Sequence, residues 1–216
     1  NIGENTRYRI RYKNNQNIRL TNVVLQIRYP EGFILTDARR SASSGAKDEW
    51  LIGDLGEGES CYLDIYGKMY GSVGDKQSFR IFLNYKAENF SSEFQKANNL
   101  TLEVGKFPVN LAVTGAGEVI VGSENELKVT LDNPDKQSLE NLALELNDGS
   151  VFSVKSSIPK ADQFLTNRWN ITSSSEQIFL VKGVFNPDVG AETGEVTFRL
   201  IGWKDNDRSK DGYVYA

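Results

Sequence analysis

The sequence lacks histidine altogether and has one cysteine and one methionine among its 216 residues. Without histidine, neither a Ser-His-Asp or Cys-His catalytic pair nor a histidine-based zinc site can form. The single cysteine, Cys61, excludes a disulfide within the chain. Cys61 lies in a run of alternating apolar and polar residues, on the same side as the apolar ones. We therefore expect it to be buried as a small hydrophobe. These absences lead us to expect that the chain is not an enzyme.

Long apolar runs and a strong excess of one charge are also missing. The longest apolar runs have the length of a strand, so we expect no membrane span in this segment. Residues 1–105 carry 14 basic and 13 acidic side chains, and residues 106–216 carry 11 basic and 16 acidic ones. Neither half has the basic footprint of a nucleic-acid-binding protein. We therefore expect no nucleic-acid partner.

The sequence does contain a repeat, with a spacing of 119 residues between matching positions. Trp50 falls on Trp169, and Phe79-Arg80-Ile81 falls on Phe198-Arg199-Leu200. A period of this length predicts two copies of one whole domain. We place the two domains at residues 1–105 and 106–216.

Each copy is predicted to be an all-β domain. Valine, isoleucine, threonine, tyrosine and phenylalanine are abundant, and apolar residues alternate with polar ones, as at Tyr8, Ile10 and Tyr12. About seven such strands per copy, separated by turn signals, are typical of an immunoglobulin-like sandwich. The predicted fold is therefore two tandem immunoglobulin-like antiparallel β-sandwiches.

The repeat is incomplete at both ends. A strand at Val109 to Thr114 precedes the second copy and has no counterpart in the first, whereas the strand Asn99 to Val104 has no counterpart in the second. We expect the parent protein to continue on both sides, or a partner strand to fill each gap. Since the junction Lys106-Phe107-Pro108 contains no Gly/Ser spacer, we expect limited freedom between the domains.

One acidic loop in the second copy is a candidate calcium site. Oxygen ligands alternate along it, and calcium takes six to eight oxygens. The glycine stands two places later than in an EF-hand loop, and the bidentate glutamate is absent, so a plain solvated turn is the alternative. We expect no other cofactor. The candidate ligands are Asp205, Asp207, Ser209 and Asp211.

Four cations alternate along the first predicted strand. They are Arg7, Arg9, Arg11 and Lys13. At the usual rise of a strand they span about 20 Å on one face. We expect this row either to bind an anionic polymer or an acidic neighbour, or to serve as a charged outer face that blocks aggregation.

Phe82 and Ile201 are predicted to occupy matching positions in the two copies. Both lie on the side opposite to the core residues of their strand, which makes that strand apolar on both faces. The pattern indicates a lateral contact with another protein or with a sugar, or else a covering loop within the domain.

The first copy resembles the tandem immunoglobulin-like repeats of prokaryotic surface proteins, the S-layer-associated and adhesin-stalk type. The resemblance lies in Tyr12-Lys13-Asn14-Asn15, Tyr29-Pro30-Glu31-Gly32-Phe33 and Trp50-Leu51-Ile52-Gly53-Asp54-Leu55. In the second copy, Asp148-Gly149-Ser150 replaces the Tyr-Pro-Glu element. The resemblance implies an extracellular or cell-envelope location and a spacer or adhesive role, and it supplies no catalytic residues.

Three functions follow as hypotheses. The first is a non-enzymatic spacer module of a larger prokaryotic surface protein, with a stalk or lateral-assembly role and with neighbouring domains of the same chain as partners. The second is a module that itself binds a glycan or another surface protein. The third is an accessory domain of a secreted hydrolase.

Overall fold

The computed structural model describes residues 2–115, 117–136, 139, 141–147, 151–172, 175–186, 194–204, 208 and 212–216. The chain divides into two compact units, Asn1–Gly105 (unit 1) and Lys106–Ala216 (unit 2). Every regular element in the described ranges is a β-strand, and all strand pairs are antiparallel. The all-β prediction is confirmed. The described residues include no helix long and apolar enough to cross a membrane.

Unit 1 is a sandwich of a three-stranded sheet, β1-β5-β3, and a four-stranded sheet, β4-β2-β6-β7. Two-residue alternation turns one side of each sheet inward, so that β1 buries Tyr12 and exposes its cations. The strands of unit 1 are β1 (Thr6–Lys13), β2 (Leu20–Arg28), β3 (Phe33–Ala38), β4 (Glu49–Leu55), β5 (Ser60–Met69), β6 (Lys76–Ala87) and β7 (Glu93–Glu103).

The core of unit 1 is built around Trp50, which is fully buried. Its indole nitrogen Nε1 donates a hydrogen bond of 3.0 Å to the Arg40 carbonyl oxygen, so the one polar atom of the ring is satisfied. Phe33 and Phe79 lie 4.9 Å apart, centroid to centroid, and Tyr8 contacts both rings. Cys61 packs against this core but is half-buried, not buried as expected.

Unit 2 is a sandwich of two four-stranded sheets, β11-β13-β9-β8 and β12-β10-β14-β15. Trp169 is fully buried, and its Nε1 donates to Ser157 Oγ at 2.8 Å. Phe107 stacks on Tyr215 with ring centroids 5.3 Å apart. The strands of unit 2 are β8 (Asn110–Thr114), β9 (Glu124–Asp132), β10 (Leu142–Leu146), β11 (Phe152–Ile158), β12 (Arg168–Asn170), β13 (Gln177–Phe185), β14 (Phe198–Gly202) and β15 (Tyr213–Val214).

The two units share one scheme of strand pairing. Strands β1 to β7 pair in the same way as β9 to β15, and Leu25 lies opposite Trp50 just as Leu144 lies opposite Trp169. Strand β8, which pairs with β9, has no counterpart among the described strands of unit 1. Strand lengths also differ between the units; for example, β15 has two residues and β7 has eleven.

One predicted correspondence within the repeat is wrong. Ile27 pairs with Ile81, and its counterpart Leu146 pairs with Phe198, so the structural match of Phe198 is Ile81 and not Phe79. The shift lies between the tryptophan and this strand, because Trp50 and Trp169 still occupy matching positions opposite Leu25 and Leu144. A shift of two residues keeps inward residues inward, which is why the sequence pattern does not reveal it.

Candidate functional site

The outer face of sheet β1-β5-β3, which we call the cationic face, brings together the four cations predicted from the sequence. Residues directly opposite one another on paired strands share a face. All four cations are exposed. The pairs across β1 and β5 are Arg7 with Tyr66, Arg9 with Asp64, Arg11 with Tyr62 and Lys13 with Ser60.

Arg9 contacts two residues of this face, Asp64 and Tyr62. It donates two hydrogen bonds to the Asp64 carboxylate, whose side chain is fully buried, and its guanidinium lies 4.0 Å from the centroid of the Tyr62 ring. The hydrogen bonds from Arg9 lower the pKa of Asp64, and the same bonds raise the pKa of Arg9. Arg9 therefore holds the sheet together and offers less of its charge to a ligand.

The other three cations of the row differ from Arg9 in the partners that they contact. Arg11 donates from Nε to Ser60 Oγ at 3.3 Å. Within the part of the chain that the structure describes, no carboxylate oxygen lies within 4 Å of the side-chain nitrogens of Arg7, Arg11 or Lys13. Their charges are thus directed to solvent.

The corresponding face of unit 2 has no such row. Glu126 and Lys182 lie opposite each other and form an ion pair of 3.7 Å, and Lys128 lies opposite Leu180. The row of cations is predicted from the sequence of β1, but the sequence pattern does not reveal Asp64 as the partner of Arg9. The alternation of β5 places Asp64 outward, and only the register with β1 shows that Arg9 is its partner.

The prediction that Phe82 and Ile201 occupy matching outward positions is wrong. Phe82 is half-buried beneath Arg28, whose guanidinium lies 5.3 Å from the ring centroid. Ile201 is buried together with Ala143 and Trp203, so it offers no contact surface. The strand registers match Phe82 with Arg199, because the two lie opposite Gln26 and Glu145.

A charged cluster on the outer face of unit 2 was not found from the sequence. Glu145, almost buried, accepts hydrogen bonds from Arg168 on β12 and from Arg199 on β14. Arg168 also lies over the Trp203 ring, 5.2 Å from its centroid. The three side chains come from three adjacent strands, so their meeting depends on the sheet order. One carboxylate binds two guanidinium groups here, and the buried Nε of Arg199 has no hydrogen-bond partner among the described residues. The cluster therefore joins three strands but retains a net positive charge.

The predicted calcium ligands Asp205, Asp207, Ser209 and Asp211 lie outside the described residues, and the calcium site stays a prediction. Among the residues that are described, no three or more aspartate, glutamate or cysteine side chains cluster so as to hold a metal.

A cleft of about 390 Å³ lies beside β3 and is lined in part by Asp37, Arg40 and Lys47.

No protein-family model matches the chain, and neither does any curated protein sequence. A search of solved structures finds the CsuC-CsuE chaperone and tip adhesion subunit pre-assembly complex of the archaic chaperone-usher Csu pili of Acinetobacter baumannii. The sequences are 9% identical, the match covers 96% of this chain and 89% of the other, and the TM-score is 0.26. A TM-score this low does not establish a shared function.

Proposed function

We propose that this chain is a non-enzymatic structural segment of a larger prokaryotic cell-surface protein, with each sandwich acting as a spacer unit in a stalk or a lateral assembly. The observation that carries the proposal is the same scheme of strand pairing built twice around a fully buried tryptophan, Trp50 in unit 1 and Trp169 in unit 2. A fold that occurs twice in one chain supports a structural role for the folded domain, such as that of a spacer.

The distribution of similarity between the two units supports the same proposal. Core positions match, whereas the outer faces differ: Gln26 and Glu49 in unit 1 stand where Glu145 and Arg168 stand in unit 2. A catalytic or ligand-binding role shared by both units would need matching outward residues. The inward match fits units that have to remain folded and that meet different surroundings.

The motifs behind the surface-protein resemblance also have structural roles. Phe33 donates its backbone N–H to the Pro30 carbonyl oxygen at 3.0 Å, which closes the turn before β3. At Gly32 a Cβ atom would lie 1.9 Å from the Tyr70 carbonyl oxygen, so only glycine fits. These residues shape and pack the sandwich, as a spacer unit requires.

Small-angle X-ray scattering tests the spacer role. A single compact body of 216 residues has a radius of gyration of about 17 Å. We expect a value well above this, because a spacer has to be longer than a compact body of the same mass. A measured value close to that of the compact body would contradict the spacer role.

Antibody labelling tests the cellular location. Antibodies raised against this chain should label intact cells of the source organism. Labelling that requires permeabilised cells would contradict the surface location. The two measurements address separate parts of the proposal.

A further inference from the structure

The four cations of β1 divide into one that is compensated and three that are not. Arg9 is bound to the buried Asp64 carboxylate, whereas Arg7, Arg11 and Lys13 have no carboxylate within 4 Å among the described residues. On the neighbouring strand β5, the side chain of Lys68 is on the same outer face of the sheet. Asp37 is the acidic residue at the far side of the face, opposite Tyr66. A ligand for this face would have to supply negative charge.

The arrangement of the cations also constrains the shape of a ligand. Alternate residues of a strand are about 6.7 Å apart, so the row from Arg7 to Lys13 is straight and about 20 Å long. Two tyrosine rings lie beside the row: Tyr62 is 55% exposed and Tyr66 is half-buried. The centre of the face is occupied by the Arg9–Asp64 ion pair, whereas the cores of protein–protein interfaces are depleted in aspartate.

We propose that the cationic face binds a linear anionic polysaccharide, with Arg7, Arg11 and Lys13 contacting its acidic groups and the Tyr62 ring packing against a sugar ring. Arg9 holds Tyr62 in place from 4.0 Å and remains bound to Asp64. A straight row of cations with an exposed aromatic ring beside it matches a chain of charged sugars. The inference does not depend on the spacer role or on the location of the protein.

The chain itself offers a matched control on the corresponding face of unit 2. Changing Arg7→Glu and Arg11→Glu on β1 alters the net charge by the same amount as Lys128→Glu and Lys182→Glu on β9 and β13. All four side chains are exposed, and neither pair includes Arg9. An effect of overall charge would appear equally in both variants, whereas an effect of the cationic face would appear in one.

The experiment measures the affinity of the full chain for dextran sulfate and for uncharged dextran by calorimetric titration at low and high salt. We expect binding to dextran sulfate alone, weakened by salt. The Arg7→Glu/Arg11→Glu variant should bind about tenfold more weakly or worse, since each reversed charge contributes modestly. The Lys128→Glu/Lys182→Glu variant should stay within about twofold of the unchanged protein.

Three results would overturn the proposal. They are equal weakening in both charge-reversed variants, equal binding of dextran and dextran sulfate, and tighter binding of polyglutamate than of dextran sulfate at matched charge. The last would assign the face to an acidic polypeptide. Changing Tyr62→Ser should weaken the binding of dextran sulfate and leave that of polyglutamate unchanged. Circular dichroism melts of each variant verify that it is folded, and Arg7→Gln/Arg11→Gln provides a milder variant if the reversal unfolds unit 1.

Discussion

Arg9 donates two hydrogen bonds, of 2.7 and 2.9 Å, to the two carboxylate oxygens of Asp64 across the β1–β5 pair. The residues are 55 positions apart in sequence. Asp64 has a fully buried side chain, whereas that of Arg9 is 44% exposed. A carboxylate that is shielded from water needs such a partner, because an uncompensated charge there destabilises the folded state.

Replacing Arg9 should therefore destabilise unit 1 more than replacing its neighbour in the row. We expect Arg9→Ala to lower the melting temperature of unit 1 by several degrees, because Asp64 loses both hydrogen bonds. Arg11→Ala should have little effect, since Arg11 is exposed and its side chain makes a long hydrogen bond to Ser60 and no ion pair among the described residues. Thermal melts followed by circular dichroism measure the difference. Equal shifts for the two variants would show that the Arg9–Asp64 pair does not stabilise the unit.

The same pair predicts how stability depends on acid. Arg9 lowers the pKa of Asp64 below its ordinary value of 3.8. The folded state therefore binds this proton less readily than the unfolded state. The stabilisation is complete above that ordinary value and is lost as the pH falls through the lower pKa of the folded protein. Urea unfolding of unit 1 should show this loss below about pH 4.

The control for the acid prediction is a pair of glutamine variants. In Arg9→Gln, Asp64 loses the hydrogen bonds that lower its pKa most, while burial still raises that pKa and only the charges of Arg7 and Arg39 lower it, so the acid-induced loss of stability should become smaller. In Arg11→Gln, the Asp64 bonds stay intact and the dependence of the unchanged protein should remain. If all three proteins lose stability in parallel, the acid sensitivity arises from other carboxylates.

The cluster of Glu145 with Arg168 and Arg199 should stabilise unit 2. In Glu145→Gln, the amide NH2 group faces arginine donors and cannot accept their hydrogen bonds. We expect a loss of about 2 kcal/mol in the free energy of unfolding of unit 2, because the arginines are partly exposed and can turn to water. Chemical denaturation measures this loss, and no change would show that the cluster is energetically neutral.

The reverse substitution, glutamine to glutamate, can be made at the matching position of unit 1. Gln26 occupies the position of Glu145, and its Nε2 donates to the Glu49 carboxylate at 2.7 Å. Gln26→Glu places two carboxylates side by side, and we expect it to cost unit 1 about 0.5–1 kcal/mol at neutral pH. The cost should fall in acid, where one carboxylate becomes protonated. A cost that is independent of pH would contradict the charge explanation.

The two tryptophans should report separately on the two units. Trp50→Phe removes the hydrogen bond to Arg40 and leaves a cavity, and we expect it to cost unit 1 about 2 kcal/mol or more. Trp169→Phe should do the same to unit 2 by removing the bond to Ser157. In calorimetric melts, each variant should lower the transition of its own unit. Transitions that shift together in both variants would show that the units do not unfold independently.

The strand faces could be predicted from the sequence because alternation is local. Tyr12, Leu25 and Ile27 are buried as the pattern predicts, and Trp50 and Trp169 fill the two cores. The cations of β1 point outward for the same reason. Each of these assignments needs only the period of two residues along a single strand.

The pairing across strands could not be predicted in this way. Asp64 beside Arg9, Glu145 between two arginines, and Arg199 rather than Ile201 in the place of Phe82 all depend on register between distant segments. A slip of two residues leaves every side chain on its expected face, so the pattern of apolar residues does not record it. The sequence by itself thus determined which residues face inward and that the fold is all-β. Only the tertiary structure decided which charges meet, because ion pairs form between side chains whose neighbours are set by sheet order and loop length.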